Sequence, residues 1–389
     1  MHVTHAQHLA KRPSSLHRTL GCPGWAQFCA GTSYTPSDAA IEGTAIHNLA
    51  EICLRDNSNV NDYIGVDIGT RDGTVTMTET MVDCAHTYVE YCRSLKRELI
   101  NARVSLEARV DLNWLIPGVV GTVDYAMVVP TMSAHIVDLK SGAKYVSVGA
   151  KAGDNPQLSA YALAYLGPVC PVIDVNLTIV QPRCFDGGDN IRTLRVNPND
   201  LYTWGHDVLK PGIQMALKDG APRIPGGHCS YCPGEATCPE LRERNLGILS
   251  VIDEDIPATS TDQLMDLVDT ADQVKSWLRA VESELKSRVL ISGSNDRYKC
   301  VQGLSNRAYT DEIAAATALQ RLMPAGYLYT KKLLSPAKVE KALVSNGMSR
   351  KKAKDVISKL VVRNKTAPKL VKASKGGKAL PAAKDTMFK

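Results

Sequence analysis

The sequence predicts a mixed α/β domain of α-β-β-β-α-β order, followed by a mainly helical C-terminal domain. Three observations carry this expectation. Two stretches near 41–54 and 78–100 space their apolar residues at helical intervals. Three short alternating stretches, joined by turns, fill 104–140. A helical crossover then leads to a fourth apolar strand. At 389 residues the chain is long enough for two or three domains, taking roughly 150 residues for each. It is 44% hydrophobic and 22% charged, which supports a packed core and excludes a largely disordered chain.

Each element has a local cause. From Ser37 onward, Ala45, Ile46, Leu49 and Ile52 fall on one helix face. TETMVDCAHTYVEYCRSLKRELI continues as a second helix after a loop or short hairpin over 56–75. VSLEARVDL (104–112) and VVGTVDYAMVV (119–129) alternate around an Ile116-Pro117-Gly118 turn, and AHIVDLK (134–140) follows the turn at 130–133. Such short connections favour an antiparallel meander. NPQLSAYALAYL (155–166) is the crossover helix, so PVIDVNLTIVQPR (171–183) should run parallel to a neighbour. A further helix is expected near 198–218.

Past Cys238 the texture changes. Apolar residues at 264, 267, 271, 274, 278, 281 and 285 form a 3-4 repeat, so a heptad helix is expected over about 261–290, with Ser260 and Gln263 at capping-box spacing. A strand near 297–303, a helix near 311–322 and a lysine-rich helical stretch near 335–360 complete the second domain. The expected divisions are 1–245, 246–362 and a basic flexible tail over 363–389.

Charge is uneven. The net charge of +6 combines +14 over residues 331–389, where 17 Lys/Arg face three acids, with −8 before them. A basic tail on a mildly acidic body suits a polyanionic partner, most simply nucleic acid, or serves as a solubilising segment. No apolar run approaches the roughly 18 residues of a bilayer span. MHVTHAQHLAKRPSS lacks the apolar stretch of a secretory signal. A soluble, intracellular protein without a membrane partner is expected. Eleven cysteines in such a chain argue against a disulfide framework. Cys229, Cys232 and Cys238 bunch as C-x2-C-x5-C, three soft ligands in one short loop.

The meander carries the chemistry. Asp124 and Asp138 lie on adjacent strands and can converge on a hard divalent cation such as Mg²⁺. Asp138 and Lys140 are two apart and share a strand face. Leu139 lies between them and offers its backbone carbonyl as a further ligand. A lysine there can orient an attacking water and offset charge on a phosphate. His47 sits on the first helix, and Gln157 and Tyr161 share one face of the crossover helix. Taken singly, each of these features more often marks an ion pair or an ordinary helix-surface residue.

Together, His47, Gly121-Thr122-Val123-Asp124, Asp138-Leu139-Lys140 and Gln157-x3-Tyr161 resemble the PD-(D/E)XK nucleases of the RecB-like branch. The resemblance implies a restriction-endonuclease-like core. It also implies that Asp124 and Asp138 hold catalytic Mg²⁺ or Mn²⁺, with His47 as an additional ligand. In the same way it assigns Lys140 to the attacking water and Gln157 and Tyr161 to support of substrate and site. Glu107 matches the extra acid that some relatives use.

Cys22 in GCPGW, with Cys229, Cys232 and Cys238, resembles the one-plus-three pattern of the iron–sulfur subset, which includes CRISPR-associated nucleases and the nuclease domain of AddB. That implies a structural [4Fe–4S] cluster. Structural Zn²⁺, with His228 or Cys22 as fourth ligand, is the alternative.

RPSSLHRTLGCPGW, EGTAIH and GLSNRAYTD also look like phage and prophage proteins grouped under an uncharacterised domain. The resemblance implies a phage-encoded deoxyribonuclease in the bacterial host cytoplasm. An exonuclease of recombination, replication or processing, leaving a 5′-phosphate and a 3′-hydroxyl, is the expected activity. Its DNA ends are single- or double-stranded. A phage annealing or single-strand-binding protein is a further expected partner, and oligomerisation through the heptad helix stays open. The alternative is an inactive DNA-binding recombination or packaging accessory that keeps the nuclease fold.

Overall fold

The computed structural model describes every residue except 1, 33–35, 100, 171, 185–188, 251–259, 305–306, 329–332, 363–364, 373–379 and 381–389. Two compact units divide within one long helix, Met1–Trp277 and Leu278–Lys389.

The first unit is built on a five-stranded mixed sheet. Its strands are β1 (Arg103–Asp111), β2 (Val120–Val129), β3 (Ser133–Leu139), β4 (Asp174–Val180) and β5 (Ile191–Val196), in that spatial order. β1, β2 and β3 are antiparallel neighbours, β3 and β4 are parallel, and β5 returns antiparallel to β4. The meander and the parallel fourth strand match the sequence expectation. β5 does not appear in it, because IRTLRV carries two arginines and leaves most of its side chains partly exposed, as an edge strand does.

Helices cover both faces. On one side lie α1 (Asp38–Asp56) and α2 (Glu79–Glu98), burying Ile46, Leu49, Val82 and Val89 against Tyr125, Met127, Val137 and Leu139. Ser37 caps α1 by accepting the Ala40 N–H at 3.3 Å, and Asn57 ends it in the left-handed region. On the other side α3 (Pro156–Leu166) buries Leu158, Tyr161 and Leu163 against Ile136, Leu177 and Ile179. It opens with Pro156 at its first position and the Asn155 side chain accepting the Leu158 N–H at 3.1 Å. The predicted helix over 198–218 is present as Pro198–Trp204 and Lys210–Ala216, joined by a π-helical turn.

The N-terminal segment is more ordered than its Pro, Ser and Gly content suggests. It forms helices His2–Lys11, Leu16–Gly21 and Trp25–Phe28. Buried Thr19 accepts from Trp25 Nε1 and donates to the Ala10 carbonyl, both at 3.0 Å.

The long helix spans Thr261–Ser292. Of the expected seam, Val274 is buried but Leu278 and Val281 are exposed, while Trp277 and Val289 are buried off the repeat. The side chains of Leu264 and Leu267 lie outside the described residues. In the second unit, helices Glu312–Gln320, Pro336–Ser345 and Arg350–Ser358 enclose Leu319, Val339, Leu343 and Ile357. Gly347, at φ +90°, separates the last two. Lys365–Lys372, expected to be flexible, instead forms a strand antiparallel to Tyr298–Leu304. Among the described residues no helix is long and apolar enough to cross a membrane.

Candidate metal and thiolate sites

Three strands part at Asp124. The β1–β2 ladder pairs Leu106 with Tyr125 and Ala108 with Val123 but skips Glu107 and Asp124 between them. The β2–β3 ladder begins only at Tyr125 and Val137. Asp124 thus sits in a notch, and its Oδ2 takes the place of a ladder acceptor by receiving the Leu139 N–H at 2.8 Å. Glu107 holds a left-handed φ of +46°, an uncommon conformation for a residue with a Cβ.

α1 brings His47 to the same notch, with Nδ1 3.5 Å from Asp124 Oδ2. One ligand atom each from His47, Glu107 and Asp124 lies within 4.8 Å of the others, a grouping suited to a cation. Burial, with Asp124 and Glu51 beside it, pushes the Glu107 carboxyl up to about 8. Burial also raises Asp124, with His47 and the Leu139 N–H opposing and Asp138 adding to the rise. An acid cluster of this kind is stable when a proton or a cation offsets it.

Asp138 is only 3% exposed. Its Oδ2 lies 2.7 Å from Lys140 Nζ but, among the described residues, has no well-aligned hydrogen bond. Gln157 spans the pair, with Nε2 donating to Asp138 Oδ1 at 3.0 Å and Oε1 accepting from Lys140 Nζ at 3.2 Å. Tyr161 Oη lies 3.4 Å from Gln157 Nε2. Burial opposes the Lys140 charge, yet Asp138 and Asp124 together hold its pKa above the usual lysine value. Gly121 of the GTVD motif makes room for this arrangement, since a Cβ there would come within 2.8 Å of the Tyr161 ring and 2.9 Å of Pro13.

The residues picked from sequence therefore meet, but in two subsets. His47, Glu107 and Asp124 form one, and Asp138, Lys140, Gln157 and Tyr161 form the other. Leu139 reaches the site through its amide. Glu42 of the EGTAIH helix is engaged by Arg183, and Glu51 pairs with Arg55 at 2.7 Å. Gln181 was not legible in the sequence. Fully buried after β4, its Nε2 donates to the Gly142 and Lys144 carbonyls at 2.8 and 2.7 Å. Its Oε1 accepts from the Val146 N–H at 3.1 Å and from Arg192 at 2.6 Å. It pins the loop that follows Lys140.

A second site joins the chain's beginning to the cysteine-rich loop. Cys22, Cys229, Cys232 and Cys238 line one cavity of about 20 Å³ with Trp25, Phe28 and Leu241. Backbone N–H groups of Ile224 and Gly226 point at Cys22 Sγ and Cys229 Sγ, each at 3.3 Å. Burial raises the thiols of Cys22, Cys229 and Cys238. Arg18 binds the Tyr231 carbonyl at 3.1 Å and Gln27 the Lys218 carbonyl at 2.6 Å, stitching the segments together. His228 donates Nε2–H to the Ile224 carbonyl at 2.8 Å. Cys29, an incidental residue by sequence, stands with Sγ 3.9 Å from Cys232 Sγ, and its thiol pulls the Cys232 pKa down.

Residues 8–377 match the family described as "Protein of unknown function (DUF2800)". The chain belongs to this family. The match runs through the notch, the cysteine-lined cavity and most of the second unit of this DUF2800 protein.

Proposed function

We propose that this chain is a metal-dependent deoxyribonuclease of the PD-(D/E)XK type, acting as an exonuclease in phage DNA recombination, replication or processing. The observation that carries the reading is the gathering near one strand notch of a His47–Glu107–Asp124 ligand group and an Asp138–Lys140–Gln157 group anchored on buried Asp138. The oxygen-rich donor set suits a hard divalent cation, and buried Asp138, whose Oδ2 is paired with Lys140 at 2.7 Å, adds a further carboxylate beside it. His47, Glu107, Asp124 and Asp138 would hold Mg²⁺ or Mn²⁺. When bound, the ion supplies Lewis acidity and makes water a better nucleophile.

The chain's own groups do the rest. Lys140, kept cationic by Asp138, orients the attacking water and offsets charge gathering on the phosphate. Gln157 fixes both partners, so the lysine is already aimed when substrate arrives. Tyr161 backs Gln157 from the same helix.

The four cysteines fit a [4Fe–4S] cluster. They come from two distant segments, face one apolar cavity, and two of their sulfurs already accept backbone N–H groups, as cluster thiolates do. Phosphodiester hydrolysis needs no electron, so the cluster's role here is to fasten the N-terminal segment beside the nuclease unit. Iron and labile sulfide in anaerobically purified protein support this assignment, and stoichiometric zinc in their place overturns it.

Incubation of linear and covalently closed circular DNA with Mn²⁺ or EDTA tests the activity. Loss of the linear form alone, and only with metal, is expected. Intact DNA of both forms would favour the accessory DNA-binding reading, and cutting of circles would make the enzyme an endonuclease.

A further inference from the structure

Lys140 and Gln157 line an open groove of about 640 Å³ together with Tyr145 and with Tyr231 of the cysteine-rich loop. Both tyrosines are unusually bare, 42% and 76% exposed. Each has a cation against its ring, Arg192 Cζ 4.7 Å from the Tyr145 centroid and Lys144 Nζ 5.0 Å from that of Tyr231. Tyr231 also holds φ +66°, and this costly conformation is clamped on both sides. Its N–H donates to Glu235 at 3.2 Å, and its carbonyl accepts from Arg18 at 3.1 Å. Tyr145 is steadied by the Gln181 bonds that fix its loop. Asp154, the groove's acid, is occupied by the Ala150 and Lys151 N–H groups at 2.9 and 3.1 Å.

Fixed, exposed aromatic rings beside cations, in a groove that Lys140 also lines, suit unpaired bases on a phosphate chain. A base offers its π-face only when unstacked, and stacking on aromatics is tolerant of sequence. In a duplex those faces are covered by neighbouring bases. We propose that this groove is the track of a single DNA strand, with Tyr145 and Tyr231 as stacking platforms and Lys144 beside the passing phosphates. The proposal rests on the nuclease reading for its direction toward Lys140. It also gives the cysteine-rich loop a second task, that of presenting Tyr231 to substrate.

The test is fluorescence anisotropy of a labelled oligo(dT) with the full cluster-loaded chain in EDTA. Raised salt screens the contribution of the basic tail. Tyr145→Ala and Tyr231→Ala should each weaken binding about fivefold to a hundredfold. Tyr145→Phe and Tyr231→Phe should bind like wild type, and a blunt duplex should show no dependence on either ring. Unchanged affinity in both alanine variants overturns the proposal, as does an equal loss for duplex or for the phenylalanine variants. If Tyr231→Ala loses iron, Tyr145→Ala decides alone. Ring-dependent binding without metal-dependent cleavage would sink the nuclease reading and leave the groove standing. Cleavage whose KM ignores both rings would do the reverse.

Discussion

Glu107 shows how the site is charged before any ion arrives. With its carboxyl pushed up to about 8, the folded protein keeps a proton there that the unfolded chain has released. The stabilisation is fully present below the ordinary carboxylate range and is lost as pH rises toward 8. Thermal melting in EDTA should therefore fall across that window. Mg²⁺ should restore it at the upper end, where the cation takes the proton's place, and Glu107→Gln should flatten the EDTA profile. A wild-type profile already flat over this range contradicts the assignment. At this scale legibility follows the chemistry that a residue carries alone. Asp124, Asp138 and Lys140 are readable because a strand's two-residue period already places them. Glu107 is only faintly readable, because its part depends on a left-handed backbone that no spacing announces. Gln181, Tyr145 and Tyr231 are ordinary residues until the fold sets them around one loop and one groove.

At the level of elements, the site exists because β-strands separate. Asp124 loses its ladder partners on both sides, and the carboxylate itself binds the Leu139 N–H that a regular strand would have engaged. The loop leaving β3 is held by Gln181 in place of secondary structure. Gln181→Leu preserves bulk but leaves the Gly142 and Lys144 carbonyls and the Val146 N–H without that partner, at a cost of about 2 kcal/mol. Hydrogen exchange over 141–147 should accelerate while the β1–β5 amides stay protected, and unchanged exchange in the loop would contradict its role as a pin. Strand alternation and helix period made β1–β4 and α1–α3 legible. β5 and the N-terminal helices escaped because arginines, prolines and glycines mask elements that tertiary contacts stabilise.

For the whole molecule, one unit carries both candidate sites, a notch with oxygen and imidazole donors and a cavity lined by four cysteines, and a basic C-terminal region follows in sequence. Lys375, Lys378, Lys384 and Lys389 fall outside the described residues, yet their charge has a consequence. Deleting 373–389 should reduce the slope of log affinity against log salt by about 2 to 3 for single-stranded DNA. An unchanged slope would exclude phosphate contacts by the tail. The heptad repeat marks the buried face of its helix only in part, since Leu278 and Val281 are exposed while Trp277 is buried off the repeat. Periodicity alone cannot say which of two neighbouring stripes packs inward. The central claim, that Asp138 and Lys140 serve metal-dependent DNA hydrolysis, is tested most directly by end-labelled single- and double-stranded DNA with Mg²⁺, Mn²⁺ or EDTA. Anaerobically purified wild type is compared with Asp138→Ala and Lys140→Ala, after melting confirms that the variants fold. Metal-dependent degradation by wild type, reduced about a hundredfold or more in both variants, is the predicted result. Folded, cluster-loaded wild type that leaves the DNA intact, or a Lys140→Ala variant as active as wild type, would contradict it.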